Sequence, residues 1–330
     1  MEHTLCMSPL LQSHLLSFSQ RLPFTEAFNL LNEVLEECGA NASQSQRLMQ
    51  YFGCDELVEA ELSESGFVAK DNETSAAIVY SQVDGGLILT DEGYKETKVG
   101  RIFSGDGIEQ ISSENLSVEK RNKLSNSDFI AEMGSHTSFF ERYTPLLQAH
   151  VEKAPSAELV CISDGARWIE NWQKEYFPQA VCILDIFHAL EHLSIFAKQI
   201  FSGEQASKWI ESQQNMLLCS QTQEVIENIT LLAENQNQSI KIIAHKLIGY
   251  YKSNLHRMDY KTYLSKGYCI GSGAIESAVS TLLQQRCKLV GQRWTSRVNA
   301  VLNIRAMHLS KKWNNMVHII NHRMGIKLTA

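Results

Sequence analysis

Apolar residues recur at helical spacing over residues 9–60, in the segments PLLQSHLLSFSQRL, PFTEAFNLLNEVLEECG and NASQSQRLMQYFG. The second segment carries Pro at its start and Gly after its end, and the third opens on a polar cluster suited to capping, so three short helices are expected. From residue 75 the period changes. SAAIVYSQVDGG is an apolar run ending in Asp-Gly-Gly, LILT is a short second run, and YKETKVGRIFS alternates like a half-exposed strand. Together they predict a β-meander. Residues 106–124 are polar and irregular, and SDFIAEMGSHTSFFERYTPLLQAHV reads as one helix capped by Ser127 or Asp128.

Two buried-type strands follow, AELVCISDGA and AVCILDIF, separated by the amphipathic helix RWIENWQKEYF. Runs of this apolar type suit strands covered on both faces. Residues 195–265 hold no strand pattern and no proline, and predict an all-helical insertion. Beyond GYCIGSG comes a long helical run, AIESAVSTLLQQRCKLV, and then GQRWTSRVNAVLNIRAMHLSKKWNNM. Pro is absent after Pro178, as a helical C-terminal half requires. Three antiparallel strands, then helix, strand, helix, strand, is the order of a ribonuclease-H-like α/β core. The expected organisation is a helical region at 1–72, the first part of the core at 73–194, the insertion at 195–266, and completion of the core with basic helices at 267–330.

Charge changes this picture at one end only. The net charge is −7 over 330 residues, yet residues 241–330 hold 15 Lys and Arg against 2 Asp and Glu. So basic a quarter can neutralise phosphates although the chain as a whole is acidic, whereas the acidic first 66 residues suit a DNA-reading helix-turn-helix poorly. The eight cysteines are dispersed without a CxxC pair, which supports neither a zinc ribbon nor a disulfide framework. Cys161, Cys182 and Trp168 are expected in the core. No run of eighteen apolar residues occurs and the N-terminal segment lacks signal-peptide character, so no membrane span and a cytoplasmic location are expected.

Three acids occupy related places. Asp84 ends the first predicted strand, Asp164 ends the fourth, and Glu276 lies in the first turns of the helix after the glycine-rich turn. Strand ends on one sheet edge, with a helix packed across the sheet, could bring three carboxylates to one point. Such a cradle suits Mg²⁺, which takes hard oxygen ligands, and a pair of such ions can drive in-line displacement at phosphorus. In LDIFHALEHL (184–193), His188, Glu191 and His192 also match H-x-x-E-H, the zinc signature of one metallopeptidase class, but five residues are a weak match.

The stretches around these acids are longer than the acids themselves. VDGG with GYKETKVGRIF, then SDGARWIENWQKEYFPQAVCILDIFHALEHL, then GYCIGSGAIESAVSTLLQQRCKLVGQRW resemble, in order, the bacterial insertion-sequence DDE transposases of the ISKra type, relatives of the Mutator-like superfamily. The resemblance runs through roughly residues 8–315. It implies a ribonuclease-H-like core with a helical insertion, Asp84, Asp164 and Glu276 as catalytic, metal-holding triad, and Mg²⁺ or Mn²⁺ as cofactor. The superfamily's Cys/Asp-x-x-His signature is matched by Asp185-Ile-Phe-His188, which implies that Asp185 and His188 support the metal-binding acids or contact DNA beside them. The implied partners are double-stranded insertion-sequence ends and target DNA, with a homo-oligomer to bring two ends together. Arg286, Lys288, Arg293 and Arg297 are the expected phosphate contacts, with Trp294 stacking on a base. Members of the group usually carry more chain upstream of the PFTEA-like segment. The alternative expectation is therefore a truncated, catalytically silent remnant that only binds DNA.

Overall fold

The computed structural model describes residues 7–35, 41–54, 76–110, 122–124 and 126–323, and they form a mixed α/β protein. The chain divides into two compact units, one of residues 1–157 with 274–330 and the other of residues 158–273. No helix among the described residues is long and apolar enough to cross a membrane.

The first unit begins with helices α1 (Pro9–Ser19), α2 (Phe24–Leu35) and α3 (Ala42–Phe52). Ser8 and Asn41 cap α1 and α3 by accepting from Leu11 N–H and Gln44 N–H, which satisfies donors that a helix start leaves free. The glycine expected to close α2 lies outside the described residues. Strands β1 (Ile78–Thr90) and β2 (Gly93–Ser104) form a long antiparallel pair. A short pair, β3 (Ile108–Gln110) and β4 (Asn122–Leu124), stands apart from them in a stretch expected to be irregular. Strand β5 (Asp128–Met133) adds to the free edge of β2, also antiparallel, and helix α4 (His136–Lys153) follows.

Two expectations fail in this sheet. Asp-Gly-Gly at 84–86 makes no turn; β1 runs straight through it, Asp84 opposite Val99, and the reversal comes at Asp91 and Glu92 before Gly93 at φ 102°. The glycine pair serves packing instead: a Cβ on Gly86 would sit 2.8 Å from Leu283 Cδ1 and 3.4 Å from Val279 Cγ1. The segment DFIAEM, expected as the first turns of a helix, is β5. Its backbone pairs with β2, and the helix begins later because Ser135 is its cap, accepting from Ser138 N–H. Asp128 anchors the start of β5: burial pushes its carboxyl up, but His150 and Lys312, each 2.8 Å away, outweigh that and hold it below the usual value.

The C-terminal part of this unit holds helix α11 (Gly273–Val279), which starts at the boundary and continues through a π-turn at Ser280–Gln284 to Cys287, then α12 (Val298–Leu309) and α13 (Trp313–Arg323). The two helical segments expected here, divided at Gly291, are separated by a non-helical stretch at 288–297, where Gly291 takes φ 77°, and the second is broken again at Lys311, φ 58°. Trp294 N–H donates to Leu89 O, and its carbonyl accepts from Asp91 N–H, so this segment lies along the end of β1. Leu15, Leu16, Leu31, Leu48 and Phe52 share one core with Val301, Ile304, Met316 and Ile320, joining the first three helices to the last two.

The second unit pairs β6 (Glu158–Ser163) in parallel with β7 (Val181–Leu184) across helix α5 (Arg167–Tyr176). Helix α6 (Ile186–Ala197) follows and takes up Ile186 and Phe187, which were expected in the strand, and α7 (Gly203–Leu218), α8 (Thr222–Glu234), α9 (Gln238–Asn254) and α10 (Tyr260–Ser265) occupy the region expected to be helical throughout. Cys161 is fully buried, as expected, while Cys182 and Trp168 are only partly so.

Packing at α3 and α12 sets a steric test. A Cβ on Gly53 would lie 2.2 Å from the Ala300 carbonyl oxygen, a backbone atom that cannot rotate away. Gly53→Ala should cost about 1–3 kcal/mol in urea unfolding. Gly249→Ala, in the α9 interior with nothing within 4 Å of the new methyl, should instead gain roughly 0.5–1 kcal/mol. Equal effects of the two substitutions would contradict this packing.

Candidate functional site

In the second unit the site is built on the carboxyl ends of two neighbouring parallel strands. Ser163 pairs with Leu184, so the next residues, Asp164 and Asp185, leave the same edge side by side, and Asp185 N–H donates to Ser163 O at 2.9 Å. Asp164 is half-buried. Its Oδ1 accepts from Ala166 N–H at 2.9 Å, and its carbonyl accepts from the Tyr250 hydroxyl at 2.8 Å. Gly165 takes φ 93°, and a Cβ there would press on Leu184 and Tyr250 at 3.0 and 3.1 Å. Burial, then the charges of Asp164 and Asp185, push the Tyr250 phenol far above its usual pKa, so it stays a proton donor.

Asp185 is fully buried and is the N-cap of α6. Its Oδ1 accepts from Phe187 N–H and Ser272 N–H, each at 3.0 Å, and its Oδ2 accepts from the Ser272 hydroxyl. Three donors on one buried carboxylate satisfy the oxygens that burial takes away from water. The glycine-rich turn is explained in the same place. Ile186 N–H donates to Ile270 O, and a Cβ on Gly271 would meet the Phe187 ring at 2.4 Å. His188 stands one turn into α6, with Nε2 3.7 Å from Asp185 Oδ2 and Nδ1 3.6 Å from Glu191 Oε2. Both distances exceed a hydrogen bond. They place a nitrogen and a carboxylate oxygen close enough to serve one cation, or to form an ion pair when the ring is protonated. The His192 ring packs on Tyr250 with centroids 4.6 Å apart.

The first unit supplies the other two acids. Asp84 is half-buried in mid-strand rather than at a strand end, and its Oδ1 accepts from Gly85 N–H at 2.7 Å. Glu276 is exposed in the first turn of α11, where a negative charge is favoured by the helix dipole. The two elements pack together. Ile275, Val279, Leu282 and Leu283 share a core with Ile88 of β1 and Val99 of β2, and Gly86 admits Leu283 two residues beyond Asp84. Arg101 of β2 fixes the start of α11 by donating from Nη1 to Ala274 O at 2.6 Å; its guanidinium also lies over Phe103 and Phe129. Burial lowers the Arg101 pKa to about 10, which leaves it charged at neutral pH. Beyond Val279 the α-helical ladder gives way to the π-turn, and Arg305 donates to Thr281 O there from Nε and Nη2, at 2.8 and 2.5 Å. Such turns recur at functional sites.

The expected DNA contacts separate. Arg286 is fully buried instead of lying on a helix face. Its Nε donates to Ser19 O at 3.0 Å, and its guanidinium lies 5.0 Å from both the Phe24 and Trp294 rings. Lys288, Arg293 and Arg297 are exposed, but on the non-helical 288–297 stretch. Trp294 is half-buried and its Nε1 donates to Cys287 O at 3.1 Å, which corrects the expectation of a freely presented ring. Ser272, Tyr250, Arg101 and Arg305 were not expected at the site. Only Ser272 carried a signal, its place between two glycines. No family model and no curated protein matches the chain.

The Asp185 arrangement can be checked apart from any activity. Asp185→Ala removes the cap and strands the Ser272 donors, and should cost about 2–4 kcal/mol in urea unfolding. Asp185→Asn, which keeps an acceptor for Phe187 N–H, should cost less. An alanine variant as stable as the parent chain would contradict the hydrogen bonding described.

Proposed function

We propose that the chain is a DDE-type transposase with a ribonuclease-H-like core, cutting and joining DNA at insertion-sequence ends, with Asp84, Asp164 and Glu276 as its metal-holding acids. The observation that carries this reading is the placement of Asp164 and Asp185 at the carboxyl ends of adjacent parallel strands, the edge at which α/β sheets bind ligands. The packing of the Glu276 helix on the Asp84 strand supports it from the first unit.

The donor set suits Mg²⁺ or Mn²⁺: three carboxylates, of which Asp84 and Asp164 are each steadied through Oδ1 by a neighbouring backbone N–H. When bound, such ions lower the pKa of an attacking hydroxyl and stabilise the leaving oxygen. The chain's own part is positional. Asp84, fixed in a strand, and Asp164, fixed by the Ala166 N–H, hold their oxygens in place, while Glu276 on α11 would bind one of the ions and orient the nucleophile. Cleavage joins a water oxygen to phosphorus as the bond to the 3′-oxygen breaks. Transfer joins that 3′-oxygen to a target phosphorus and releases the target's own 3′-oxygen. Asp185 and His188 support Asp164 from the adjacent strand end, and a homo-oligomer would present two DNA ends together.

The test is incubation of the purified chain with a supercoiled plasmid carrying the DNA that flanks its coding sequence, in Mn²⁺. Nicking at the flank boundary is expected, falling at least ~100-fold in Asp164→Asn. His188→Ala should impair cleavage while leaving Mn²⁺ binding largely intact. Binding of the DNA by the parent chain without any nicking would overturn the enzyme and favour a silent, DNA-binding remnant.

A further inference from the structure

The first unit holds a half-open cavity of about 310 Å³ between the α2 and α3 helices and the 292–297 stretch. Phe24, Gln46 and Gln50 line one side, and Arg286, Arg293 and Arg297 the other; none of the lining residues is acidic. Arg286 decides what the cavity is for. Its side chain is fully buried, Nε donates to Ser19 O, and Nη1 can donate to Gln292 Oε1 at 3.2 Å when that amide turns its oxygen inward. Nη2 is buried and has no hydrogen-bond partner. Burial lowers the Arg286 pKa to about 10 against the smaller opposing pull of the Glu26 charge, so the group is still charged at neutral pH.

A buried, charged guanidinium with an empty donor is costly unless an anion completes it. Two further guanidinium groups border the same space, and the Gln46 and Gln50 amides add neutral donors. The volume sits at the small end for ligand pockets, enough for a small molecule or a strand terminus and too little for a duplex.

We propose that this cavity is a phosphate-binding subsite, in which Arg286, Arg293 and Arg297 hold the phosphate group of a nucleotide, free or at the 5′ end of a strand. Guanidinium groups suit phosphate because their planar forks meet its oxygens in pairs. The proposal does not depend on the cutting reaction, and it gives Arg286 a partner that its burial denies to groove-bound DNA.

Isothermal titration of the full chain without divalent cations tests it, using inorganic phosphate, a deoxymononucleotide, and a single-stranded decamer with or without a 5′-phosphate. Saturable binding is expected for phosphate and for the phosphorylated ligands, weakened at least ~10-fold in Arg286→Met and in Arg297→Gln. A decamer that binds tighter with its 5′-phosphate and exceeds the mononucleotide identifies the strand end as the source; the reverse order identifies the free nucleotide. Absence of phosphate binding up to about 10 mM overturns the proposal, as does unchanged binding in Arg297→Gln. Arg297 is exposed, so its variant decides the matter even if Arg286→Met fails to fold. Because no metal is present, failure here is distinct from failure of the cleavage reaction.

Discussion

Gly86 has no side chain where β1 meets the helix that carries Glu276, and the close approach of Leu283 depends on that absence. Around this contact the first unit assembles. Ile275, Val279, Leu282 and Leu283 cover Ile88 and Val99, and burying such side chains supplies most of the favourable free energy. Arg101 holds the first turn of the helix through Ala274 O, and Arg305 holds its π-turn through Thr281 O. The same Arg305 donates to Gln20 O and Arg286 donates to Ser19 O, so two buried guanidinium groups tie the end of α1 to the C-terminal helices. Fixing Glu276 relative to β1 and fixing the N-terminal helices are therefore one problem of packing and hydrogen bonding.

The second unit solves a different problem with similar means. A buried carboxylate, Asp185, closes the step from β7 to α6 and gathers the glycine-rich turn through Ser272. The phenol of Tyr250 reaches the backbone of Asp164 from α9. The hydrogen bonds that steady Asp164 and Asp185 thus come from hydroxyls and backbone N–H groups. Neutral donors of this kind leave the negative charge of the two carboxylates available for a cation.

Much of this was legible in the sequence, for identifiable reasons. VCIS and VCIL are short apolar runs closed by Asp, and both are strands; the region of α7 to α10 has helical spacing and no proline. Asp-Gly-Gly misled because glycine has two uses, and here it gives close approach instead of a turn. DFIAEM misled because six residues of mixed pattern fit strand and helix equally, and the pairing with β2 decides. The acids were visible as acids. The burial of Arg286 was not, since a charged residue within a basic stretch reads as surface until its neighbours Ser19 and Phe24, far away in sequence, are known.

If Asp84, Asp164 and Glu276 hold divalent cations jointly, the loss of any one of them must show in the binding of the ion itself. Titration of the chain with Mn²⁺, followed by the loss of the free-ion electron paramagnetic resonance signal, tests this most directly in the parent and in Asp84→Asn, Asp164→Asn and Glu276→Gln. Saturable binding is predicted, weakened at least ~10-fold by each single substitution. Binding that survives all three substitutions unchanged, or no binding by the parent chain, would contradict the joint site.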